Sequence, residues 1–441
     1  MGRLISGVLL LLALAPAAAD IELFVDCVAG QPDAGCSAQN PCNSVDLAVA
    51  KFLAQRQLPT TIWIAAKGVC RTDSSSAIGN AQQLTIAGRG GQAQLQVNGQ
   101  APSLFFFTNS AIQLRSLTIS NAQIAIRAAE SVVVVRDCNF FSNQVAIAAE
   151  VLANVGASSL DLADSTFAGN ARNAVLVQAV GTDSISMNIS ISNCIFRDHT
   201  IKLRDDLGVV RILSEQTKHS VAVAIRNSRF INNRQLYSAA SAPGASLVYI
   251  SVSKQSPVAI TNTVWLNNSA IYAGASSKLS VAGAFLNLQS DLIQLERCDF
   301  MANAIVAADA SVSYLQGGLV LLNGRTNPFP NISLANSISD VSFVGNSLRV
   351  GSSPQIGLRP DTFTLYGGVL RTNLKDLVVR NVTLIGNRLT INCWQLLVLS
   401  GGLCEFASLV ELDGWAAVGN TIDLRPTYVY TTEITGRIFV L

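Results

Sequence analysis

The sequence predicts an all-β fold, a right-handed parallel β-helix of about ten stacked coils with an N-terminal helix cap. Three observations support this: an apolar pattern that recurs through most of the chain, turn-forming residues at fixed positions in each copy, and intervals too long for the main alternative fold. The expected order is a signal peptide (1–19), a disulfide-linked cap (20–80), the coils (81–425) and a C-terminal tail (426–441).

An aromatic or apolar residue, termed position p, marks each copy of the repeat. In most copies, apolar residues occupy p−7 and p−5, Asn or Asp occupies p−3, a small or apolar residue occupies p−2, and Asn occupies p+3; the exceptions are Asn336 at p−7, Arg297 and Gly414 at p−3, and His199 at p+3. One copy cannot bury its apolar face alone, whereas stacked copies share a continuous core. Copies are centred on Phe140, Phe167, Phe196, Phe230, Trp265, Phe300, Phe343, Leu384 and Ala417, and an imperfect earlier copy contains Ile112, Leu114, Leu117 and Ile119.

The spacing predicts strands separated by corners. Residues two apart lie on one face of a strand, and the three-residue step from p−5 to p−2 breaks that alternation. Asn, Asp or Gly at p−3 tolerates the left-handed backbone of a bend, and Asn at p+3 is expected to mark a second corner in the same way. A third apolar stretch lies between copies and completes three strands per coil. Examples are 174–177, 208–213, 246–250, 283–286, 317–322 and 367–370.

The leucine-rich repeat is the main alternative, because p−5, p−2, p and p+3 also fit its consensus. Its period is roughly 20–29 residues, whereas the p+3 positions recur at intervals of 27 to 43 residues. Leu is also sparse at the key positions. A fixed coil with surface loops of variable length is expected to produce this scatter, and the crossovers between parallel strands are expected to be right-handed.

The first residues predict a secreted, extracellular protein. Arg3, the apolar run 4–15 and the small residues 17–19 follow the order of a secretory signal peptide. No later apolar run is long enough to predict a membrane span. Ser44 is expected to begin a short helix over 45–53 that covers the open end of the first coil.

Nine cysteines are present, and secretion permits disulfide bonds. Four of them cluster near the N-terminus and allow three pairings, of which sequence proximity favours one. The predicted bridges are Cys27–Cys70, Cys36–Cys42 and Cys393–Cys404. The remaining three share position p−2 and are interpreted as buried core residues, since their coils are too far apart for one metal site. They are Cys138, Cys194 and Cys298.

Four Asn-x-Ser/Thr sequons are candidate N-glycosylation sites, provided that the protein is secreted by a eukaryote. The alternative is chance occurrence in a chain rich in Asn, Ser and Thr. The four residues are Asn188, Asn267, Asn331 and Asn381.

The Phe-x-x-Asn series, with Gly-Gly-x-apolar stretches at Gly317 and Gly367, resembles the repeat of the polymorphic outer-membrane-protein type. More broadly, residues 21–425 resemble the pectin-lyase-like right-handed parallel β-helix superfamily. The stretch from Cys36 to Ser44 is similar to the N-terminal caps of its secreted members. This resemblance implies the fold and leaves the activity open.

The resemblance implies that a polysaccharide enzyme of that superfamily would carry acidic motifs, and such motifs are scarce in this sequence. Hydrolases need two carboxylates, one to donate a proton and one to act as base or nucleophile, but the polygalacturonase-like series reduces to Asp205-Asp206. Lyases bind calcium through clustered acids. The residues expected to face solvent on the third strand of the coils are instead Gln178, Arg211, Asn287, Asn323 and Arg371.

One charged segment is interpreted as a solvated loop, with a catalytic or ligand-contacting cluster as the alternative. Within it, His199 takes a corner position otherwise filled by Asn, so it is interpreted as a turn residue. His219 has no acid or Ser partner identifiable from sequence and is expected at the surface. The segment contains Arg197, Asp198, His199, Lys202, Arg204, Asp205 and Asp206.

Composition narrows the function further. Charged residues make up 13% of the chain and the net charge is +2, which argues against a nucleic-acid-binding surface. No cofactor or metal motif is found. The sequence predicts a secreted non-catalytic β-helix protein acting in extracellular-matrix structure, adhesion or carbohydrate recognition, with polysaccharides or surface proteins as partners. The alternatives are a divergent polysaccharide lyase or glycoside hydrolase acting on a uronic-acid polymer, and a fragment of a larger surface protein.

Overall fold

The structure is a computed structural model. It describes residues 21–32, 35–55, 58–98, 101–152, 158–182, 184–203, 208–214, 216–237, 246–253, 256–272, 279–307, 312–324, 336–351, 362–374, 376–400, 403–406, 410–428 and 433–435. The predicted signal peptide, the sequon residue Asn331 and the charged residues Arg204, Asp205 and Asp206 lie outside this part of the chain.

Short strands dominate the fold, with one helix near the N-terminus of the described part. In chain order the elements are β1 (Ile21–Val25), α1 (Val45–Ala54), β2 (Thr60–Ala65), β3 (Val69–Thr72), β4 (Ser76–Gly79), β5 (Leu84–Arg89), β6 (Ala93–Val97), β7 (Phe105–Thr108), β8 (Ala111–Arg115), β9 (Leu117–Ser120), β10 (Ile124–Ala129), β11 (Val132–Arg136), β12 (Asn139–Phe141), β13 (Val145–Val151), β14 (Ser158–Ala163), β15 (Thr166–Ala168), β16 (Asn173–Ala179), β17 (Ser186–Ser192), β18 (Ile195–Arg197), β19 (Thr200–Leu203), β20 (Val210–Ser214), β21 (Ser220–Arg226), β22 (Arg229–Ile231), β23 (Arg234–Tyr237), β24 (Val248–Ser251), β25 (Pro257–Thr261), β26 (Val264–Leu266), β27 (Ser269–Tyr272), β28 (Leu279–Ala282), β29 (Leu286–Gln289), β30 (Leu292–Glu296), β31 (Asp299–Met301), β32 (Ala304–Ala307), β33 (Val312–Gln316), β34 (Val320–Asn323), β35 (Asn336–Val344), β36 (Ser347–Gly351), β37 (Thr362–Tyr366), β38 (Leu370–Thr372), β39 (Leu377–Ile385), β40 (Arg388–Ser400), β41 (Cys404–Phe406), β42 (Val410–Asp413), β43 (Ala416–Val418), β44 (Thr421–Tyr428) and β45 (Glu433–Thr435).

The strands form three long sheets, here called A, B and C. In the described part of the chain, sheet A has 23 strands and sheets B and C have 11 each. Neighbouring strands in each sheet come from successive passes of the chain and run parallel, as in β11–β14, β13–β16 and β23–β27. Long all-parallel sheets built in this way are those of a parallel β-helix, so the predicted fold class is confirmed at this level.

Equivalent inward side chains stack on each other along the coil axis. Neighbouring ring centroids in this stack lie 4.4–5.4 Å apart, and the ring planes are within 13° of parallel. All the rings are fully buried, and stacked aromatic pairs contribute about 0.5–1.5 kcal/mol each beyond their burial. The stack consists of Phe140, Phe167, Phe196, Phe230, Trp265, Phe300 and Phe343.

The first corner of each coil has the predicted left-handed backbone. The residue at p−3 has φ between 50° and 67° in every described copy. Asn, Asp and Gly tolerate this region best, although Ser and Arg each occupy it once. These residues are Ser116, Asp137, Asp164, Asn193, Asn227, Asn262, Arg297, Asp340, Asn381 and Gly414.

The second corner differs from the prediction. Its left-handed residue is at p+2, with φ between 52° and 64°, and not at the Asn of p+3. The p+3 side chain is buried and bonds to the backbone of neighbouring coils instead. The p+2 residues are Asn121, Ser142, Gly169, Asp198, Asn232, Asn267, Ala302, Gly345, Gly386 and Gly419.

The p+3 side chains form a ladder along the coil axis. In a typical rung, Asn268 Oδ1 accepts from the backbone N–H of Asn233 at 3.0 Å, while its Nδ2 donates to the carbonyl of Phe230 at 2.9 Å. The same pattern recurs from Asn143 to Asn420. Corner backbone groups that strand pairing does not reach thereby gain partners, which buried polar groups need.

The longer repeat intervals were expected to come from surface loops of variable length. Loops alone do not explain them. From β19 onward each coil continues beyond the second corner into strands of sheet C. Strands β23, β27, β32 and β36 lead away from this corner, and β28, β33 and β37 return toward sheet B. The 13-residue β40 pairs with β36 through its first half and with β37 through its second half. Much of the additional length of these coils therefore forms β-strands of sheet C rather than loops.

The helix α1 forms close to where it was predicted. The Ser44 side chain accepts from Leu47 N and begins the helix, and the helix contacts β1 to β4. Its buried face consists of Val45, Ala48, Val49 and Phe52. Strands of sheets A and B already occur before residue 80, because β2 pairs with β5 and β4 pairs with β7.

Two of the three predicted disulfides are present, Cys27–Cys70 and Cys36–Cys42, with Cα–Cα distances of 5.1 and 4.6 Å. The third is wrong, because Cys404 is a buried free thiol. Cys404 lies on β41 of sheet B, whereas Cys393 lies on β40 of sheet C. Their proximity in sequence does not bring them together, since the chain changes sheets between them.

No helix in the described ranges has the length and apolar character that crossing a membrane requires.

Candidate functional site

The outward side chains of sheet B form two rows along the coil axis. One row contains Phe106, Arg127, Ala148, Leu176, Arg211, Tyr249, Asn287, Leu321, Arg371 and Glu405. The other contains Thr108, Ala129, Glu150, Gln178, Leu213, Ser251, Gln289 and Asn323. The five residues that the sequence predicted to face solvent on this sheet are therefore divided between the two rows.

The C-terminal part of this sheet is covered, which corrects part of that prediction. Arg211 is only 8% exposed and Asn287 1% exposed. Asn287 Nδ2 donates to the carbonyl of Ala282 at 3.3 Å, and Ala282 ends the returning strand β28. The last residues of the returning strands of sheet C thus contact outward side chains of sheet B, an arrangement that the sequence periodicity did not reveal.

Arg371 shows how the cover is built. Its guanidinium lies 4.4 Å from the ring centroid of Tyr366 and 2.9 Å from the carboxylate of Glu405. Tyr366 ends β37, and Gly367, with φ of 58°, turns the chain directly back into sheet B. A Cβ atom at Gly367 would collide with the carbonyl of Leu370, so this turn requires glycine. The resulting ion pair is largely buried and closes this end of the face.

The N-terminal part of the same sheet stays accessible, and we call it the open face. It comprises Phe106, Arg127, Glu150, Leu176 and Gln178, all partly exposed. Arg127 pairs with Glu150 at 3.1 Å, with side-chain exposures of 42% and 28%. The Arg127 guanidinium also lies 5.2 Å from the Phe106 ring centroid.

Geometrically, the open face is an ordered set of donors and acceptors on a rigid sheet. The guanidinium is held between an aromatic ring and a carboxylate, so its donors are oriented before any ligand arrives. Glu150 and Gln178 are paired in register on neighbouring strands, so the carboxylate of one coil is followed by the amide of the next. Phe106, Arg127 and Glu150 were not predicted as site residues, because the third apolar stretch was recognised only from residue 174 onward. Extending the same register back to 145–151 and 124–129 would have found the last two.

Three carboxylates, Asp137, Asp161 and Asp164, lie on neighbouring coils of sheet A. Asp161 forms an ion pair with Arg136. Asp137 accepts from Ser116 Oγ at 2.8 Å, and Asp164 accepts from Asn193 Nδ2 at 2.9 Å. Each acid therefore has a partner within the coil stack. None of the Asp and Glu residues whose burial the structure describes is fully buried, and no group of three or more potential metal ligands occurs in the described ranges.

His199 is a rung of the Asn ladder rather than an exposed turn residue. Its Nε2 donates to the Phe167 carbonyl at 3.1 Å, and its Nδ1 accepts from the backbone N–H of Asn170 at 3.1 Å. The neutral imidazole thus reproduces the acceptor and donor of an Asn amide. Burial lowers the pKa of His199 to about 4, against partial compensation from the backbone acceptors. The neighbouring Arg197 and Asp198 form an exposed ion pair at 3.6 Å.

His219 is buried, so the prediction that it lies at the surface is wrong. It is 1% exposed. Its Nδ1 lies 3.0 Å from Ser214 Oγ, and its Nε2 donates to the Gly181 carbonyl at 2.8 Å. The Ser partner precedes it by only five residues and was missed because the turn between them was not anticipated. Both side chains are enclosed, so the pair is a structural contact without access for a substrate.

The p−2 thiols are buried as predicted and also form hydrogen bonds. Cys194 Sγ donates to the carbonyl of Ser192 at 3.3 Å, and in neighbouring coils Ser165 and Ser228 hydroxyls bond in the same way. Burial raises the pKa of Cys138, Cys194 and Cys298 to about 12. These thiols are therefore protonated core residues.

The described sequons have different surroundings. Asn188 is exposed in the middle of β17. Asn267 and Asn381 are corner residues whose amides donate to Asn232 and Asp340 of the preceding coils, both at 2.9 Å.

Two solved structures show weak similarity to this chain. No protein-family profile and no curated protein sequence matches the chain. Among solved structures, a GH136 lacto-N-biosidase from Eubacterium ramulus has 10% identity and a TM-score of 0.24, over 94% of this chain and 67% of its own. The catalytic unit of a thermostable GH87 α-1,3-glucanase from Streptomyces thermodiastaticus has 10% identity and a TM-score of 0.24, over 94% and 70%. Similarity of this degree assigns no activity to the chain.

Proposed function

We propose that this chain is a secreted, non-catalytic β-helix protein that recognises carbohydrate through the open face of sheet B. The observation that carries the proposal is the pre-positioned Arg127–Glu150 pair beside Phe106 and Gln178. Binding sites commonly combine apolar surface with a few fixed polar groups that set orientation. The pair supplies both donors and acceptors while its charges cancel, so the favoured ligand is a neutral, hydroxyl-rich polysaccharide.

The coil spacing supports an extended ligand. Neighbouring strands lie about 4.8 Å apart, so Phe106, Arg127, Ala148 and Leu176 cover roughly three such steps along the axis. A polysaccharide lying along the coil axis would meet the guanidinium of Arg127 in this row, and the carboxylate of Glu150 and the amide of Gln178 in the neighbouring row. The covered region that begins near Arg211 limits the site at one end.

Several features accompany this role as parts of the same proposal. The signal peptide is removed on secretion, α1 covers the N-terminal end of a right-handed stack of about ten coils, and the fold is of the pectin-lyase-like type with Phe-x-x-Asn repeats. Asn188 is the described sequon best placed for an N-glycan, because it is exposed and its strand neighbours Ser159 and Ala222 are small. Loss of a glycan mass on Asn188→Gln in protein secreted from eukaryotic cells tests that site.

Binding to immobilised xylan, β-glucan and cellulose, with pectin and alginate as acidic comparators, tests the function. We expect Arg127→Ala and Glu150→Ala each to weaken binding by about tenfold or more, since either change leaves a charge unpaired at the site. Arg136→Ala is the matched control, because it breaks an Arg–carboxylate pair on sheet A and leaves the open face intact. Equal binding by the wild type and both open-face variants would refute the proposal.

A catalytic alternative is favoured by one observation, the presence of Asp137, Asp161 and Asp164 on two neighbouring coils of sheet A. Incubation with pectin, alginate and neutral glycans, with and without calcium, tests it through release of reducing ends or unsaturated uronates. We expect no turnover. Turnover that is lost in Asp137→Asn or Asp164→Asn would establish an enzyme instead.

A further inference from the structure

The strand β41 forms one edge of sheet B, and its core side is shielded from solvent. Within the described ranges β41 pairs only with β38. Its side chains Cys404 and Phe406 are nevertheless only 1% and 4% exposed. By contrast, Leu412, an inward residue of the sheet A strand β42 in the same coil, is 39% exposed. A segment outside the described ranges is therefore needed to cover β41.

The chain enters sheet B by the same route after each of four returning strands of sheet C. The residues that end β28, β33, β37 and β40 are aligned in register, and a three-residue link of Gly, any residue and an apolar residue follows each of them. Where the structure describes it, the Gly of the link has φ between 49° and 58°, which turns the chain into sheet B. The four links are 283–285, 317–319, 367–369 and 401–403, and the strands after them begin at Leu286, Val320, Leu370 and Cys404.

A fifth copy of this pattern follows β45. Thr435, which ends β45, is aligned with Ser400 at the end of β40. Residues 436–438, Gly-Arg-Ile, then repeat the link, and residues 439–441, Phe-Val-Leu, stand in place of the strand. Because 436–441 lie outside the described part of the chain, the match is one of sequence, anchored by the register of β45.

We propose that the edge of sheet B at β41 is occupied by residues 436–441 of the same chain. The register of β45 aligns the last three of these residues with β41 one for one, so Phe439 lies beside Cys404. Alternation along the strand then directs Phe439 and Leu441 into the apolar core and Val440 outward. The two large apolar side chains thereby provide the cover that β41 needs.

The backbone hydrogen bonds of the preceding coils show how the segment pairs. Val369 N–H and Leu370 N–H both donate to the carbonyl of Leu403, at 2.7 and 3.1 Å. In the proposed pairing, the N–H groups of Leu403 and Cys404 donate to the carbonyl of Ile438 in the same way. The edge groups of β41 then have the partners that buried backbone groups require.

The chain's own segment is favoured over a strand from a second copy. Because β45 already lies beside β40, the three-residue link holds 439–441 next to the edge at a high effective concentration. An uncovered edge strand would instead be open to pairing with other chains. The proposal concerns the end of sheet B away from Arg127 and Glu150, so it does not depend on carbohydrate binding.

A position-specific disulfide tests the register. Aligned Cα atoms on neighbouring strands lie about 4.8 Å apart, within the roughly 4.4–6.8 Å that a disulfide spans. The full chain carrying Phe439→Cys is secreted through an oxidising compartment, where thiols pair during folding, and is mapped by mass spectrometry without reduction. We expect position 439 to be linked to Cys404 within one chain. Val440→Cys is the matched control, since its outward side chain cannot reach Cys404.

Three results of this experiment would overturn the proposal. A link between two chains would assign the edge to a second copy. Equal linkage of Cys404 to positions 439 and 440 would refute the register, and a free thiol at position 439 in the folded protein would show that the segment lies elsewhere.

Cys404 is also a reporter in chains without an added cysteine. We expect Phe439→Asp to raise the alkylation rate of Cys404 by about tenfold or more, because an unpaired carboxylate is not retained in the apolar core. Val440→Asp is expected to leave that rate unchanged. Cys138, Cys194 and Cys298 lie in earlier coils and should stay protected in both variants, which verifies folding. Unchanged protection of Cys404 in Phe439→Asp, or equal loss of protection in Val440→Asp, would contradict the proposed strand.

Discussion

His199 is the ladder residue most sensitive to its protonation state. When neutral, it replaces an Asn rung with one donor and one acceptor. When protonated, Nδ1 carries a hydrogen that faces the backbone N–H of Asn170, so the rung loses its acceptor. Acid is therefore expected to break the ladder at this coil before others, because the other rungs are amides that do not titrate.

The pH dependence follows from the pKa of His199, about 4 in the folded chain against about 6.5 when unfolded. Between these values the unfolded chain binds the proton first, so stability falls as pH falls from about 6.5 to about 4. The full loss is about 3 kcal/mol. Denaturant unfolding of the wild type and of His199→Asn across this pH range checks it. Parallel pH profiles for the two proteins would contradict the assigned role.

Buried thiols give a second residue-scale prediction. Because burial keeps Cys138, Cys194, Cys298 and Cys404 protonated and inaccessible, they are expected to resist alkylation in the native protein and to react after unfolding. Mass spectrometry of chains alkylated before and after denaturation measures this. Rapid native labelling of any of the four would show that its coil is open.

At the scale of the element, the Asn ladder holds the second corner of the coils from Asn143 to Asn420. Asn268→Ala removes both the acceptor for Asn233 N–H and the donor to Phe230 O, and leaves these buried groups unpaired. The expected cost is about 3 kcal/mol of unfolding free energy. Asn188→Ala, an exposed Asn on a strand, is the control and should change stability by less than about 0.5 kcal/mol. Similar values for both variants would show that the ladder contributes little.

The comparison between sequence and structure is clearest at these corners. The left-handed residue at p−3 was predictable, because three-residue spacing in an alternating strand demands a bend there. The role of Asn at p+3 was not, since its partners lie one coil away, about 30 residues distant in sequence. The His at one rung was a usable signal in the sequence, because its two ring nitrogens can replace the acceptor and the donor of an Asn amide.

For the whole molecule, periodicity predicted the parallel stack but not the added sheet. The intervals grow after Phe196, yet lengthened intervals are equally consistent with loops, and the pairing of β23, β27 and β32 depends on neighbouring coils. Sheet C decides which part of sheet B is open. Consequently Arg211 and Asn287 were expected at the surface and are buried, while Arg127 and Glu150 form the candidate site.

The most direct test of the central claim, that the open face of a stacked-coil frame binds carbohydrate, is a crystal structure of the protein with an oligosaccharide from the polymer that it binds. We expect a sugar chain lying across β7, β10, β13 and β16, with hydroxyl groups bonded to Arg127 and Glu150. A ligand seated instead on Asp137, Asp161 and Asp164, or one that leaves sheet B empty, would contradict it.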